Sequence, residues 1–141
     1  METYSYFDAM GKAKKAYTGY LEPVCKAWTL TQNELTILLF LHNNPQLDRA
    51  ADIVACRGIA KSHVSLSVSD LESRELLTRR FESSDRRAAH LTLTEQGQAV
   101  AEEGRQRQRL FFDALYANFS SEEMDILRSL TRRVMENIDK F

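Results

Sequence analysis

Residues 76–97 read LLTRRFESSDRRAAHLTLTEQG, in which two short alternating segments flank a polar stretch. Leu76–Phe81 and His90–Leu93 alternate apolar and polar side chains, which is the pattern of half-buried strands. Residues 82–87 between them carry polar and charged side chains only. The pattern predicts a two-stranded hairpin whose turn lies at residues 82–87. It carries four arginines: Arg79, Arg80, Arg86 and Arg87.

Two short helices are predicted immediately before this hairpin. Asp48 is a candidate cap for the first, which Gly58 ends. The second runs from about Ala60 to Arg74, with Val64, Val68 and Leu71 on its buried side and a second set of side chains, Ser62, His63, Leu66 and Ser67, on the other. Two short helices joined by a tight glycine turn form a helix-turn-helix. With the hairpin they predict a winged helix, which places one helix in the major groove of DNA and a loop in the minor groove.

Longer helices are predicted on both sides of this unit. Apolar side chains recur every three or four residues from Phe7 to Val24, where Pro23 is expected to disturb the helix end. Capping boxes at Thr31–Glu34 and Ser120–Glu123 open two more helices, the first ending near residues 43–45. A long helix follows Thr94. The predicted fold is therefore mainly α with a small β-wing.

Composition limits the classes of function. The 141 residues are 43% hydrophobic and 28% charged, which indicates one globular domain. No apolar run approaches the roughly 20 residues that cross a bilayer, and the first 20 residues lack a secretory signal pattern, so we expect a cytoplasmic protein without a membrane partner. The motifs of phosphate loops, nucleophile elbows and metal sites are missing from the sequence, so we expect no enzyme, cofactor or metal.

Charge alone does not identify a nucleic-acid partner. The formal net charge is −1, and the segment from Arg57 to Arg87 holds seven Lys and Arg against five Asp and Glu. A solvated charged hairpin would have the same composition. Two hypotheses therefore stay open: a DNA-binding protein, and a winged-helix module that binds other proteins instead.

The order and spacing of these residues resemble the MarR family of bacterial transcriptional regulators. The resemblance lies in residues 76–80, in Asp85-Arg86-Arg87 and in the segment Leu91 to Gly97, with further similarity at residues 59–65, 30–32 and 119–123. It implies a homodimer on a double-stranded DNA operator, with dimerisation helices at about 4–28 and 95–141 and a winged helix-turn-helix at about 31–94. It also implies a regulator, most often a repressor, relieved by a small-molecule effector or another signal.

The resemblance assigns roles to individual residues. The predicted DNA-binding residues are Lys61, Ser62, His63, Ser65, Leu66, Ser67, Arg79, Arg80, Arg86 and Arg87, and Asp85 is predicted to fix the wing by pairing with a neighbouring arginine. Arg79 and Arg80 alternate along a strand, so at most one is expected to meet phosphate. Leu66 and Ser67 depart from the family, which more often has a long polar residue followed by an apolar one. Leu66 is then positioned to touch a thymine methyl group.

Two further expectations concern ligands and redox chemistry. Four aromatic side chains are candidates for an effector pocket between the dimerisation helices and the winged helix: Tyr17, Tyr20, Trp28 and Phe40. The alternative for Trp28 is ordinary packing. Cys25, beside Lys26, is a minor candidate for peroxide sensing, because a neighbouring cation lowers the pKa of a thiol.

Overall fold

The computed structural model describes residues 5–82 and 85–141, apart from the side chains of residues 85–87. These residues form six helices and one antiparallel pair of strands, as the sequence predicted. No helix among them is long and apolar enough to cross a membrane. In chain order the elements are α1 (Tyr6–Trp28), α2 (Gln32–Asn43), α3 (Ala50–Arg57), α4 (Lys61–Ser73), β1 (Leu77–Glu82), β2 (Asp85–Leu93), α5 (Glu95–Leu115) and α6 (Ser121–Ile138).

Side-chain caps start the helices α1, α2 and α6. Ser5 forms a capping box with Asp8 at the start of α1, and Ser120 forms the predicted one with Glu123 at the start of α6. Thr31 caps α2 by accepting the backbone N–H of Glu34 at 3.1 Å, and its own hydroxyl donates to the Glu34 carboxylate at 3.0 Å. The predicted helix starts at Thr31 and Ser120 are confirmed.

Pro23 lies inside α1, where the sequence predicted a disturbance near the helix end. The helix continues through it to Trp28, and Thr29 closes it in a left-handed conformation with φ of 52°. Proline removes a single backbone donor from the helix. Leu21, Val24 and Cys25 are buried around it, so tertiary packing outweighs that loss.

The predicted cap of α3 is wrong. Arg49, not Asp48, is the N-cap residue, and its backbone N–H donates to the carboxylate of Asp52 at 3.1 Å. Asp48 instead faces the hairpin, where it contacts His90. Gly58 ends α3 as predicted, with a φ of 64° that favours glycine.

The chain divides into two compact units, one ending at Phe111 and the other beginning at Phe112. In the first unit, α2 is buried on most sides, and side chains from α1, α3, α4 and both strands pack around it. Gly104 of α5 lies close to this helix, because a Cβ there would come within 3.0 Å of Leu39 and 3.2 Å of Leu35. This core holds α4 and the hairpin in place.

The second unit leaves its apolar side chains exposed. Within it α6 has no buried residue, although apolar side chains recur along the helix. The exposed apolar residues of this unit are Phe112, Leu115, Phe119, Ile126, Leu130, Val134, Met135, Ile138 and Phe141. On α1, Tyr6, Phe7 and Met10 are exposed as well. Apolar surface of this extent is typical of an interface.

The two strands form a longer ribbon than the sequence predicted. Leu77 pairs with Leu93 and Phe81 with Ala89, and the register is irregular between Phe81 and Glu82. The strand β2 begins at Asp85, so Arg86 and Arg87 have strand backbone and do not lie in a turn. Backbone hydrogen bonds set this pairing, so the ribbon continues where the alternation of side chains stops. We call β1 and β2 together the wing.

Candidate nucleic-acid interface

One side of α4 faces solvent and the other is anchored in the core. Val64, Val68 and Leu71 are buried, as predicted. The exposed side carries Lys61, Ser62, His63, Ser65 and Leu66, which we call the reading face. The helix is therefore held by its apolar stripe while a row of short polar side chains is free to meet a partner.

Ser67 does not belong to the reading face. Its exposed fraction is only 9%, and it lies next to Val68 on the buried side of α4. The prediction that Ser67 lies on the exposed side of α4 is therefore wrong, and its burial argues against the predicted contact with DNA. Leu66, by contrast, is 72% exposed. Ser67 thus takes an inward position on α4 and Leu66 an outward one.

Ser62 is not the cap of α4. The N-cap residue is Ala60, which makes no side-chain cap hydrogen bond. Ser62 lies in the first turn and is exposed, as is its neighbour His63. The alternative in which Ser62 only caps the helix is therefore excluded.

The two arginines of β1 have different environments. Arg79 donates through Nη2 to the Ser69 hydroxyl of α4 at 2.8 Å, and its Nε lies 3.6 Å from the Glu72 carboxylate. Its side chain is 28% exposed, whereas Arg80 is classed as exposed. Arg79 therefore ties the wing to α4, which leaves Arg80 as the arginine of β1 that can reach phosphate.

The predicted wing-tip contacts lie outside the described side chains. Asp85, Arg86 and Arg87 have backbone in β2, but their side chains are not described. Their predicted roles, Asp85 in fixing the wing and both arginines in the minor groove, stay predictions.

A network of hydrogen bonds joins the segment between α4 and β1 to the start of α5. The Thr94 hydroxyl donates to the Glu75 carbonyl oxygen at 2.7 Å and accepts the backbone N–H of Gly97 at 3.0 Å. The Thr94 backbone N–H donates to the Leu76 carbonyl oxygen at 3.1 Å. These contacts give a physical role to Thr94 and Gly97 of the Leu91–Gly97 segment.

Arg74, which the sequence analysis did not single out, joins α4 to α1. Its guanidinium donates to the carbonyl oxygens of Trp28 and Thr29 at the end of α1, the second at 2.8 Å. It also lies 3.5 Å from the buried carboxylate of Glu34 at the start of α2. Burial raises the pKa of Glu34, and Arg74 partly opposes that rise. No sequence pattern marks this junction.

His90 is a second residue to which the sequence pattern assigned no role in the site. Its ring lies between the carboxylates of Asp48 and Glu82, at 2.9 Å and 2.7 Å. The three residues are separated in sequence by up to 42 positions, so only the fold brings them together.

The four aromatic residues predicted to line a pocket do not form one group. Tyr17 and Tyr20 both pack edge-on against Phe111, with ring centroids 5.3 and 5.5 Å apart. Trp28 donates its indole N–H to Glu103 at 2.9 Å. Phe40 is only 1% exposed and packs beneath the guanidinium of Arg57. The prediction that Phe40 lines a pocket is therefore wrong, because it is a core residue of α2.

Cys25 is unsuited to redox sensing. It is buried, and its Sγ lies 3.9 Å from the Thr31 carbonyl oxygen. Burial, and then the carboxylates of Glu22 and Glu34, raise the pKa of the Cys25 thiol. A raised pKa keeps the thiol protonated and unreactive, which is the opposite of the effect expected from Lys26.

Comparison with known proteins gives a consistent result. Residues 28–88 match the model of the MarR family. The chain is 26% identical over 110 residues to an uncharacterised HTH-type transcriptional regulator, YdgJ, of Bacillus subtilis, covering 78% of the chain and 66% of YdgJ. It is 28% identical over 90 residues to the transcriptional repressor MprA of Escherichia coli, covering 64% of the chain and 51% of MprA. The matches thus span between half and two thirds of these relatives.

The fold has a close counterpart among solved structures. A MarR family transcriptional regulator from Listeria monocytogenes, crystallised with a 26mer DNA, superimposes with a TM-score of 0.86. The two chains are 18% identical, and the match covers 96% of this chain and 90% of the other. At that identity the likeness concerns the fold, and it agrees with the family model and both relatives. Residues 28–88 thus match the MarR family, and the described part of the chain has the fold of a MarR family regulator.

Proposed function

We propose that this protein is a homodimeric, DNA-binding transcriptional regulator of the cytoplasm. The observation that carries the proposal is the reading face of α4, an exposed row of short polar side chains on a helix anchored from behind and flanked by the wing. A helix of this kind fits the major groove, and a two-stranded ribbon beside it reaches the neighbouring minor groove.

Each exposed residue suits one kind of contact. Lys61 and Arg80 are cations that suit phosphate oxygens, which fix position without reading sequence. Ser62, His63 and Ser65 are short hydrogen-bonding side chains that suit base edges, and Leu66 suits a thymine methyl group. Arg86 and Arg87 suit the negative potential of a narrow minor groove. Arg79 and Ser67 are left out of the contact set, because the first binds α4 and the second is buried.

A second copy of the chain suits the exposed apolar side chains of α1 and of the second unit. A homodimer presents two reading faces, which match the two half-sites of a pseudo-palindromic operator about 34 Å apart. We place the dimerisation helices at about 4–28 and 95–141 and the winged helix at about 31–94. Light scattering coupled to size exclusion is expected to give a dimer, and a monomer at micromolar concentration would contradict this part of the proposal.

Repression is the mode of regulation that we propose, with release by a small molecule or another signal. The relative MprA is named a transcriptional repressor, and a dimer bound across a promoter blocks polymerase directly. A signal that releases the protein must favour a dimer in which the two reading faces no longer match successive major grooves. The proposal includes no catalytic group, cofactor or metal.

Salt dependence of DNA binding is the direct test. Promoter fragments are first selected from the source genome, and affinity for the selected duplex is then measured by fluorescence anisotropy from about 50 to 200 mM salt. A dimer that touches six or more phosphates loses on the order of a thousandfold in affinity over that range. A flat response, or no duplex bound at low salt, would favour the alternative function, a winged-helix module that binds proteins.

Two wing variants locate the contact, with a matched surface cation as the control. Arg86→Ala and Arg87→Ala are expected to weaken binding and to leave the thermal unfolding temperature unchanged. Arg105→Ala removes an exposed cation from α5 and is expected to bind as the wild type does. Wild-type affinity in both wing variants would contradict the minor-groove assignment.

A further inference from the structure

The ring of His90 lies between two carboxylates from different parts of the first unit. Its Nδ1 is 2.9 Å from both carboxylate oxygens of Asp48, which lies in the loop between α2 and α3. Its Nε2 is 2.7 Å from Oε1 of Glu82, the last residue of β1. The His90 side chain is 14% exposed, while that of Glu82 is 53% exposed. We call this arrangement the His90 clamp.

The geometry of the His90 clamp suits a protonated ring. An ionised carboxylate can only accept hydrogen bonds, and a neutral imidazole has one N–H to donate. Contacts at 2.9 and 2.7 Å to two carboxylates therefore need both nitrogens to be protonated. Protonated at both nitrogens, His90 bridges the two carboxylates as an imidazolium cation.

Other charged groups also face the ring. Nη2 of Arg49 lies 3.4 Å from Nε2 of His90 and 3.9 Å from the Glu82 carboxylate. Arg80 is the residue directly opposite His90 in the ribbon, so its side chain projects from the same side of the sheet. The hydrogen bonds to Glu82 and then to Asp48 outweigh burial and the charge of Arg49, and they raise the pKa of His90 above its ordinary value.

The clamp joins the far end of β1 to the helix-turn-helix. The backbone next to the ring strengthens the junction, because the N–H of Leu91 donates to the Asp48 carbonyl oxygen at 2.8 Å. Glu82 lies where the register of the ribbon becomes irregular and where the wing tip begins. Holding Glu82 therefore holds the end of the wing that leads to Arg86 and Arg87.

We propose that His90 is a positioning residue of the wing, whose imidazolium holds the ribbon against the loop before α3 and whose loss of a proton weakens operator binding. This inference rests on the proposed function. Because the folded protein holds the proton more tightly than an unfolded chain does, the clamp is fully formed below the ordinary pKa of histidine, as long as the pH keeps both carboxylates ionised. It is lost as the pH rises through the raised pKa of His90, so affinity falls toward alkaline pH.

The first experiment examines the clamp without DNA. The ring signals of His90 are followed by NMR from pH 5 to pH 9 in the full chain, with His90→Gln used to assign them. Glu82→Gln and Asp48→Asn are each expected to lower the pH at which His90 titrates. Exchange of the Leu91 amide is expected to accelerate above that pH in the wild type. An unchanged titration in both variants would overturn the clamp.

The second experiment measures operator affinity over the same pH range at fixed salt. The wild type is expected to bind about fivefold more weakly above the pH at which His90 titrates, at the lower end of typical coupling between sites. The affinity of His90→Gln is expected not to depend on pH in this way. His63→Gln is expected to bind more weakly at every pH and to keep the fivefold fall of the wild type. Circular dichroism confirms that each variant is folded.

The two experiments separate the possible failures. A pH dependence in His90→Gln equal to that of the wild type would overturn the coupling of the clamp to operator binding. No binding of any duplex at any pH would overturn the proposed function and the coupling together. The NMR titration would then still decide whether the clamp itself exists.

Discussion

A Cβ atom on Gly97 would overlap the backbone carbonyl oxygen of Leu76. That oxygen already accepts the backbone N–H of Thr94, so it is fixed between the start of β1 and the start of α5. The helix can approach the strand this closely only because residue 97 has no side chain. Glycine at this position is therefore a packing requirement of the winged helix.

Gly97→Ala is expected to destabilise the protein by about 1–3 kcal/mol, because the backbone atoms it meets cannot move aside cheaply. Thermal unfolding followed by circular dichroism measures the change. Gly19→Ala in α1 is the control, since a Cβ there meets nothing within 4 Å. Alanine has the higher helix propensity, so the control is expected to gain up to about 1 kcal/mol. Equal stability of the two variants would contradict the packing role.

Glu75→Gly is expected to stabilise the protein. Glu75 has a φ of 59° between α4 and β1, a left-handed conformation that is strained for a residue with a side chain. Its carbonyl oxygen accepts the Thr94 hydroxyl, and glycine keeps that contact. Relief of strain less the backbone entropy of glycine leaves a gain of roughly 0.5–1 kcal/mol. A lower unfolding temperature would contradict the strain argument.

Replacing thymine by deoxyuracil in the operator tests the role of Leu66. Removal of the methyl group that Leu66 is proposed to cover is expected to weaken wild-type binding about fourfold, which corresponds to about 0.8 kcal/mol for one buried methyl. Leu66→Ala is expected to bind both duplexes equally, while Ser62→Ala still distinguishes them. The contact would be refuted if no single thymine-to-deoxyuracil replacement weakened DNA binding by the wild type while leaving binding by Leu66→Ala unchanged.

Substitutions of the neighbouring Arg79 and Arg80 are expected to have different effects, the first on stability and the second on DNA binding. Arg79→Ala removes the hydrogen bond to Ser69 and the ion pair with Glu72, so it is expected to cost about 1 kcal/mol of stability. Arg80→Ala is expected to leave stability unchanged, to weaken DNA binding and to reduce the salt slope by about one. The opposite assignment of effects would mean that Arg80 holds the wing.

The sequence predicted the elements because each has a strong local signal. The capping residues Thr31 and Ser120, the stop at Gly58 and the buried stripe of α4 are all determined by neighbours within one or two turns. The exposure of Leu66 followed from the same helical period. These parts of the fold and of the reading face were predictable without any knowledge of long-range contacts.

The differences from prediction at Ser67, Asp48 and Pro23 concern tertiary contacts. Ser67 lies at the edge of a helical stripe, where periodicity alone does not decide between the core and solvent. Aspartate is a residue type that often caps helices, but the Asp48 carboxylate instead contacts His90, 42 positions later. Pro23 stays within α1 because the core holds the helix on both sides of it. A single sequence has no signal for partners that far apart.

The guanidinium of Arg74 has a mechanical consequence for the molecule. The planar guanidinium donates hydrogen bonds to the carbonyl oxygens of Trp28 and Thr29 at the end of α1. The backbone of Arg74 is the C-cap of α4. These contacts couple the end of α1 directly to the end of α4. A tilt of α1 would therefore move the end of α4 as well. A ligand or partner that bends α1 would therefore displace the end of α4, the helix that carries the reading face.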